Sequence, residues 1–118
     1  MKALVSILLL ATLACQATAA PGYRPHMTGG QPVRDMLADP DEGLNSFRRE
    51  RAMGYIEGIA DASASLRWCP AGKPVPHELA YVVAEEVEKM KDQLPGDASI
   101  LVLAVLARLY PCRPGDAP

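Results

Sequence analysis

The sequence predicts an all-α fold, a small up-down helical bundle of three main helices plus a short N-terminal helix, stapled by one disulfide. Apolar residues recur at helical spacing in three stretches, Pro and Gly separate those stretches, and no stretch shows sustained strand alternation. With 118 residues, one Phe and one Trp, the chain can bury one small, mainly aliphatic core. A core of this size generally needs a covalent staple.

The first 19 residues are typical of a secretory signal peptide. Lys2 precedes an apolar run too short for a comfortable transmembrane helix, and small residues lead up to Ala19. We expect cleavage after Ala19, because Pro21 directly after the cut would be unfavourable. The pattern therefore predicts an exported soluble protein. The alternative is a lipoprotein in which Cys15 is the modified residue.

The cysteine count predicts the staple. Removal of residues 1–19 takes Cys15 away and leaves Cys69 and Cys112, which suits one disulfide in an oxidising compartment. This bond would close a loop of about 44 residues and contribute on the order of 4 kcal/mol by the chain-entropy argument. The same cleavage removes Lys2 and moves the formal charge from −2 to −3. Such mild acidity offers no basic field that would hold nucleic acid.

The chain divides into three parts after the signal peptide. Residues 20–32 contain Pro and Gly without an apolar period, so a flexible N-terminal segment is predicted. The helical domain spans residues 33–112 and opens with a short helix at residues 33–38. Residues 113–118 are rich in Pro and are expected to form a frayed C-terminal tail.

The longest predicted helix begins at Asn45 or Ser46, either of which can serve as its N-cap, and runs to Trp68. The arginines near its start are expected to be solvated, with a specific anion site as the alternative. One face of the helix is expected to be buried, and it consists of Ala52, Tyr55, Ile56, Ile59, Ser63 and Leu66.

Gly54 and Gly58 form a stripe of this helix that carries almost no side chain. Since each helical Gly costs roughly 1 kcal/mol relative to Ala, we expect the backbone of a neighbour to approach closely there. Asp61 lies beside the stripe and is expected to accept hydrogen bonds from that neighbour. Glu50 and Glu57 share the face of Asp61, which leaves metal or acid–base chemistry as an alternative.

A second main helix is predicted over residues 77–94, after an irregular Pro-rich loop at residues 70–76. Its apolar stripe consists of Leu79, Val83, Val87, Met90 and Leu94. Its opposite face is acidic, and a charged face is commonly just solvated. An aromatic residue within it favours a partner surface, since Tyr is enriched at interfaces. The predicted partner-binding residues are Tyr81, Glu85, Glu88 and Asp92, with Tyr81 off the apolar stripe.

The last helix is predicted over residues 98–110, with Asp97 as its cap. Apolar residues surround its axis, and Arg108 is its only charge. A helix that is apolar all round must be covered all round, and a three-helix domain would leave one side open. A second copy of the chain could cover that side, which predicts a homodimer. The alternative is that residues 21–41 fold back over it.

The sequence contains no recognisable catalytic set. It has no Gly-rich phosphate loop and no Gly-x-Ser-x-Gly motif, and its two mature cysteines are expected to be bonded to each other. His26 lies in the flexible segment and His77 at a helix start, where surface or structural roles are expected. We therefore predict that the protein is not an enzyme, needs no cofactor or metal, and acts by binding.

Three short motifs carry a resemblance to a known family. They are GYIEGIADA at residues 54–62, WCP at residues 68–70 and YPC at residues 110–112. In this order, with a Val-rich helix between the last two, they resemble the Rap/Tai immunity family over roughly residues 33–112. Members of that family are small secreted helical proteins of Gram-negative bacteria. They neutralise peptidoglycan amidase toxins delivered by type VI secretion.

The resemblance implies a periplasmic protein that binds and inhibits such an amidase effector. The rival function is a small periplasmic chaperone or stress protein that acts through a conditionally exposed apolar surface. One departure concerns a further cysteine pair that family members often carry. This chain has Leu37 and either Arg49 or Ala52 in those regions, so its N-terminal region is expected to be looser.

Overall fold

The computed structural model describes residue 22 and residues 24–116, and within them the fold is all-helical. The predicted signal peptide, residues 1–19, lies outside the described residues. The helices are α1 (Gly30–Leu37), α2 (Asn45–Ser63), α3 (Leu79–Glu88) and α4 (Ala98–Leu109), with a short 3₁₀ turn at Lys91–Gln93. None of these helices is long and apolar enough to cross a membrane. The predicted all-α bundle with its Cys69–Cys112 disulfide is confirmed.

All four helices enclose one core, and every pair of them is in contact. The largest fully buried side chains come from each helix, and they are Met36, Ile56, Val83, Val102, Val105 and Leu106. Full burial of such a side chain contributes about 1.5–3 kcal/mol relative to leaving it in water. The aliphatic core inferred from the composition is therefore present, and α1 is part of it.

The segment before α1 is held in place, which corrects the predicted flexibility of residues 27–32. Met27 is only 3% exposed, and its carbonyl accepts a hydrogen bond from the Ala98 amide at 3.1 Å. The Gly29 amide donates to the Gly96 carbonyl at 2.8 Å. A Cβ on Gly29 would overlap the end of the Leu101 side chain and lie 3.3 Å from the Leu94 carbonyl oxygen, so this close approach favours glycine. Helix α1 accordingly begins at Gly30, three residues before the predicted start.

Both ends of α2 differ from the prediction. Its N-cap position is Leu44, without a side-chain cap, while the Asn45 side-chain amide donates to the Asp39 carbonyl at 2.9 Å. The helix ends at Ser63, because Ser65 adopts a positive φ of 61° and turns the chain back. Trp68 is thereby returned to the core rather than being carried along the helix axis.

The predicted apolar face of α2 is correct except at its end. Ala52, Ile56 and Ser63 are buried, and Tyr55 and Ile59 are half-buried against the core. Leu66 was expected on the same face but is 69% exposed, because it lies in the turn after the helix. The helical period thus predicts burial only as far as the helix extends.

The later helices keep their predicted faces but not all of their predicted lengths. Helix α3 ends at Glu88 rather than at residue 94, and the 3₁₀ turn follows it. Met90 and Leu94 nevertheless pack against the core, as expected from the stripe. Helix α4 ends one residue early, and the predicted cap is confirmed, since Asp97 Oδ1 accepts from the Ser99 amide at 2.8 Å.

Candidate functional site

The disulfide joins the turn after α2 to the end of α4. Next to it, the Cys69 amide donates to the Tyr110 carbonyl at 2.9 Å. The Trp68 and Tyr110 rings pack with their centroids 5.5 Å apart, and Trp68 Nε1 donates to the Ala60 carbonyl at 2.9 Å. Cys69 is buried and Cys112 is exposed. This end of the bundle is therefore held by a covalent bond, two hydrogen bonds and an aromatic pair.

The Pro-rich loop at residues 70–76 leaves the bundle from this anchored end. Lys73 Nζ donates to the Leu109 carbonyl at 2.6 Å and lies 5.0 Å from the centroid of the Tyr110 ring. Gly72 has a φ of +76°, which favours glycine at that position. Residues 71–76 are all exposed. The loop is thus displayed to solvent while its middle is tied to the C-terminal end of α4.

The predicted partner surface on α3 is only partly as expected. Glu85, Glu88 and Asp92 are exposed, as a binding surface requires. Tyr81 is half-buried and packs against the core, with the Arg49 guanidinium 5.7 Å from its ring centroid. Although Tyr81 was placed off the apolar stripe, it therefore contributes to packing as well as to the surface. We call the exposed carboxylates Glu85 and Glu88 of α3, together with Asp92 of the 3₁₀ turn that follows it, the α3 acidic face.

Arg49 makes a structural contact that the sequence pattern does not predict. Its Nη2 donates to the Ala38 carbonyl at 2.6 Å, while its guanidinium covers Tyr81. Arg49 thus ties the C-terminal end of α1 to α2 and α3, instead of being solvated. The region that was expected to be looser for want of a second cysteine pair is packed here, with Met36 fully buried. Nothing in the local sequence distinguishes Arg49 from its exposed arginine neighbours.

A surface ion-pair cluster connects α3 with α4. The carboxylate of Glu86 accepts hydrogen bonds from Lys89 and from Arg108. These two partners, Lys89 first, hold the pKa of the Glu86 carboxyl below its ordinary value, so Glu86 stays ionised. Because the cluster is exposed, its contribution to stability is small. The cluster shares one carboxylate between two cations, one of which, Arg108, is the only charged side chain of α4.

The glycine stripe of α2 faces open space in this chain. A Cβ built on Gly54 or Gly58 would meet no heavy atom within 4 Å among the described residues. The predicted close approach of a neighbouring backbone within the chain is therefore wrong. Asp61 is exposed and has no hydrogen-bond partner in the described part of the chain, so its predicted role toward such a neighbour is wrong as well.

Replacing Gly58 with alanine is expected to raise the free energy of unfolding by about 0.5–1 kcal/mol. The added Cβ meets nothing, and alanine loses less backbone entropy than glycine on forming a helix. Thermal and urea melts would measure the change. Gly29→Ala is the matched control and should destabilise, because its Cβ overlaps Leu101. Destabilisation by Gly58→Ala would show that this stripe is covered after all.

Within the described residues, the outer face of α4 is partly exposed and carries a mainly apolar groove. The groove measures about 230 Å³ and is lined by Arg67, Ile100, Leu103, Ala104 and Ala107. Ile100 is 63% exposed. Met27 and its neighbours cover only the start of α4, so the predicted folding-back of the N-terminal segment is correct in part. We call the four apolar residues the α4 open face.

The described residues do not bring together the polar groups that would hold a metal. No group of three or more His, Cys, Asp or Glu side chains in residue 22 and residues 24–116 is placed so that it could hold a metal ion. His26 and His77 are both exposed. What this part of the chain offers a partner is an acidic helix face, a constrained loop and an apolar groove.

The described residues thus form a small helical bundle, stapled by one disulfide, that presents these surfaces. Residues 10–112 match the family model of the Rap1a immunity proteins. Because the match spans most of the chain, this chain belongs to the Rap1a immunity protein family. The resemblance inferred from the three motifs is thereby confirmed, and membership implies a toxin effector as partner. No match was found among curated proteins.

Proposed function

We propose that this chain is a periplasmic immunity protein that binds and inhibits a peptidoglycan amidase toxin delivered by type VI secretion. The observation that carries the proposal is membership of the Rap1a immunity family over residues 10–112. The signal-peptide pattern of residues 1–19 and the disulfide support an oxidising compartment outside the cytoplasm. The protein has no catalytic role in this proposal and acts as an inhibitor.

Inhibition requires only that the protein occupy the cleft of the amidase. The α3 acidic face is the surface we propose for this contact, because three exposed carboxylates lie close together in the chain there. The mature formal charge of −3 has the same sign. Complementary charge accelerates association with a basic cleft rim and is screened by salt. Tyr81 belongs to the same proposed surface, where its half-buried ring is covered in part by the Arg49 guanidinium.

Reversing the charge of Glu85 and Glu88 to lysine is expected to slow association with the amidase about tenfold or more at low salt. Both side chains are exposed, so the free energy of unfolding should hardly change. Surface plasmon resonance at several salt concentrations would measure the rates. The matched control reverses Glu57 and Asp61, two exposed carboxylates on α2. Equal slowing of association by the two double variants would show that the α3 acidic face acts only through the net charge of the protein. Unchanged inhibition by the α3 variant would favour the loop at residues 70–76.

The function itself is tested by protection. An amidase effector directed to the periplasm of a bacterial host should lyse the cells, and co-production of the full-length chain should prevent lysis. A variant lacking residues 1–19 should stay in the cytoplasm and fail to protect, although it should bind the effector in lysates. Failure of the full-length chain against a panel of amidase effectors would contradict the proposal. Equal protection by the truncated variant would contradict the periplasmic location.

The α4 open face favours a second candidate function, that of a small periplasmic chaperone. An apolar groove that is open in the described residues could hold unfolded chains. Suppression of aggregation of a reduced client protein would test this candidate, and Ile100→Glu should abolish the effect. The same open face supports the proposal that two copies of the chain pair as a homodimer.

A further inference from the structure

We propose that the Cys69–Cys112 disulfide exchanges with external thiols through Cys112, and that its protein partner in this exchange is a thiol–disulfide oxidoreductase. Cys112 is then the residue that carries the mixed disulfide, and Cys69 is the residue that resolves it. The observation behind the inference is the unequal exposure of two cysteines that share one bond. The inference does not depend on the identity of the toxin.

Cys69 is enclosed by the fold. It is only 2% exposed, and its amide donates to the Tyr110 carbonyl at 2.9 Å. The residue before it, Trp68, is also buried and packs on the Tyr110 ring. The rate of thiol–disulfide exchange depends on access to the attacked sulfur. An external thiolate would therefore have to displace this packing before it could attack Cys69.

Cys112 lies in an open segment of the chain. Residues 111–115 are all exposed, and none of them belongs to a helix. The Arg113 amide donates to the Asp116 carboxylate at 2.7 Å, and the Asp116 amide donates to the Arg113 carbonyl at 3.0 Å. These hydrogen bonds hold the tail to itself. A macromolecule can therefore approach Cys112 along the chain, which it cannot do at the buried pair Trp68 and Cys69.

The charges near Cys112 favour attack by a thiolate. Arg113 is the next residue, and its side chain makes no ion pair in the described part of the chain. Lys73 reaches the same end of α4 through the Leu109 carbonyl. Neighbouring cations stabilise the thiolate form of cysteine. The Asp116 carboxylate offsets part of this charge, since it accepts a hydrogen bond from the Arg113 amide.

The exchange balances in two steps. When the bond opens, one thiolate of the oxidoreductase attacks the Cys112 sulfur, a mixed disulfide forms between them, and Cys69 leaves as a thiolate. The second thiolate of the oxidoreductase then attacks its own sulfur in the mixed disulfide, and Cys112 leaves as a thiolate. Two electrons and two protons have passed from the dithiol of the enzyme to this chain. In an oxidising compartment the same steps run in reverse, and Cys69 closes the bond by attacking the mixed disulfide at Cys112.

The first test uses the folded mature protein with its native bond intact. A brief incubation with reduced glutathione is followed by rapid alkylation and by peptide mapping with mass spectrometry. Glutathione should appear on Cys112 and the alkyl group on Cys69, in about tenfold or greater excess over the reverse pattern, because access selects the attacked sulfur. An equal or reversed pattern would overturn the proposal, as would a bond that stays closed until the protein unfolds.

Unfolding in urea is the control for the role of the fold. Both sulfurs are accessible in the unfolded chain, so the excess should fall to about threefold or less. A preference for Cys112 that is undiminished in urea would show that the local sequence selects the sulfur, and it would overturn the argument from burial.

Arg113→Glu tests the role of charge in the folded protein. It should slow the attack by glutathione about threefold, because the attacking thiolate is anionic and the effect is partly screened by salt. Arg48→Glu is the matched control, since Arg48 is an exposed arginine on α2, and it should react like wild type. Equal rates for the two variants would contradict the assistance of the exchange by Arg113.

The last test addresses the protein partner. A thioredoxin-like oxidoreductase whose resolving cysteine is replaced by alanine can attack the native disulfide but cannot complete the exchange, so a covalent complex should accumulate. Peptide mapping should show this complex linked through Cys112. A complex linked through Cys69, or no complex under conditions in which glutathione reacts, would overturn the proposal. None of these measurements involves the toxin, so their outcomes are independent of the inhibition assay.

Discussion

Replacing Cys112 with serine is expected to lower the free energy of unfolding by about 4 kcal/mol. The Cys69–Cys112 bond spans a sequence separation of 43, and its removal restores that conformational freedom to the unfolded chain. Cys112 is the better position to change because it is exposed, whereas Cys69 is buried and a serine there would also bury a hydroxyl.

Urea unfolding of the mature protein, followed by circular dichroism, would measure this loss. The free energy of unfolding of reductant-treated wild type should approach that of Cys112→Ser. The reductant should not change the free energy of unfolding of the variant. A domain of about 99 residues has a total stability of roughly 5–15 kcal/mol, so the loss is a large share of it. If the variant unfolds within about 1 kcal/mol of wild type, the stapling role of the disulfide is wrong.

Replacing Trp68 with alanine is expected to cost about 3–5 kcal/mol, as removal of a buried aromatic side chain generally does. Trp68 is 5% exposed, and its ring packs on Tyr110 at the end of α4. Its Nε1 donates to the Ala60 carbonyl near the end of α2. The alanine variant would lose the apolar contact area and leave a cavity between the two helices.

Trp68→Phe is the graded control, because it keeps an aromatic ring but removes the hydrogen bond to Ala60. It should fall between wild type and Trp68→Ala in thermal melts followed by circular dichroism. Leu66→Ala, at a side chain 69% exposed, should be nearly neutral. Equal melting temperatures for Trp68→Ala and Leu66→Ala would contradict the proposed role of the tryptophan. The effects of Trp68 and Cys69 substitutions should not be additive, because the residues are adjacent.

Both substitutions lie at the end of the bundle that carries the disulfide. Both are distant in sequence from Glu85 and Glu88. Below its melting temperature, each variant should therefore retain the α3 acidic face and inhibit in proportion to its folded fraction. Loss of inhibition by a fully folded Cys112→Ser variant would indicate instead that the loop at residues 70–76 contacts the toxin. That loop begins one residue after Cys69 and is tied to the end of α4 through Lys73. The two stability variants thus also test which surface binds.

Local sequence patterns predicted which helices form, but they did not predict where all of those helices end. The apolar stripe of α3 and the cap at Asp97 followed from side-chain spacing and backbone hydrogen-bonding needs, which act within a few residues. The end of α2 did not follow, because it depends on Trp68 reaching back to the Ala60 carbonyl across a turn that contains Ser65. The same Trp68 ring packs on Tyr110 at the end of α4, a part of the chain that is distant in sequence.

The sequence by itself determined the all-helical class, the pairing of Cys69 with Cys112, the likeness to an immunity family and the exposure of Glu85 and Glu88. These depend on periodicity, composition and motif order, which can be read along the chain. Only the tertiary structure decided that Arg49 caps α1 and covers Tyr81, that Gly58 faces open space, and that Ile100 is exposed. Each of these depends on which helix lies across from which. This arrangement is determined by how all four helices pack around one small core. It cannot be read from the sequence of a single helix.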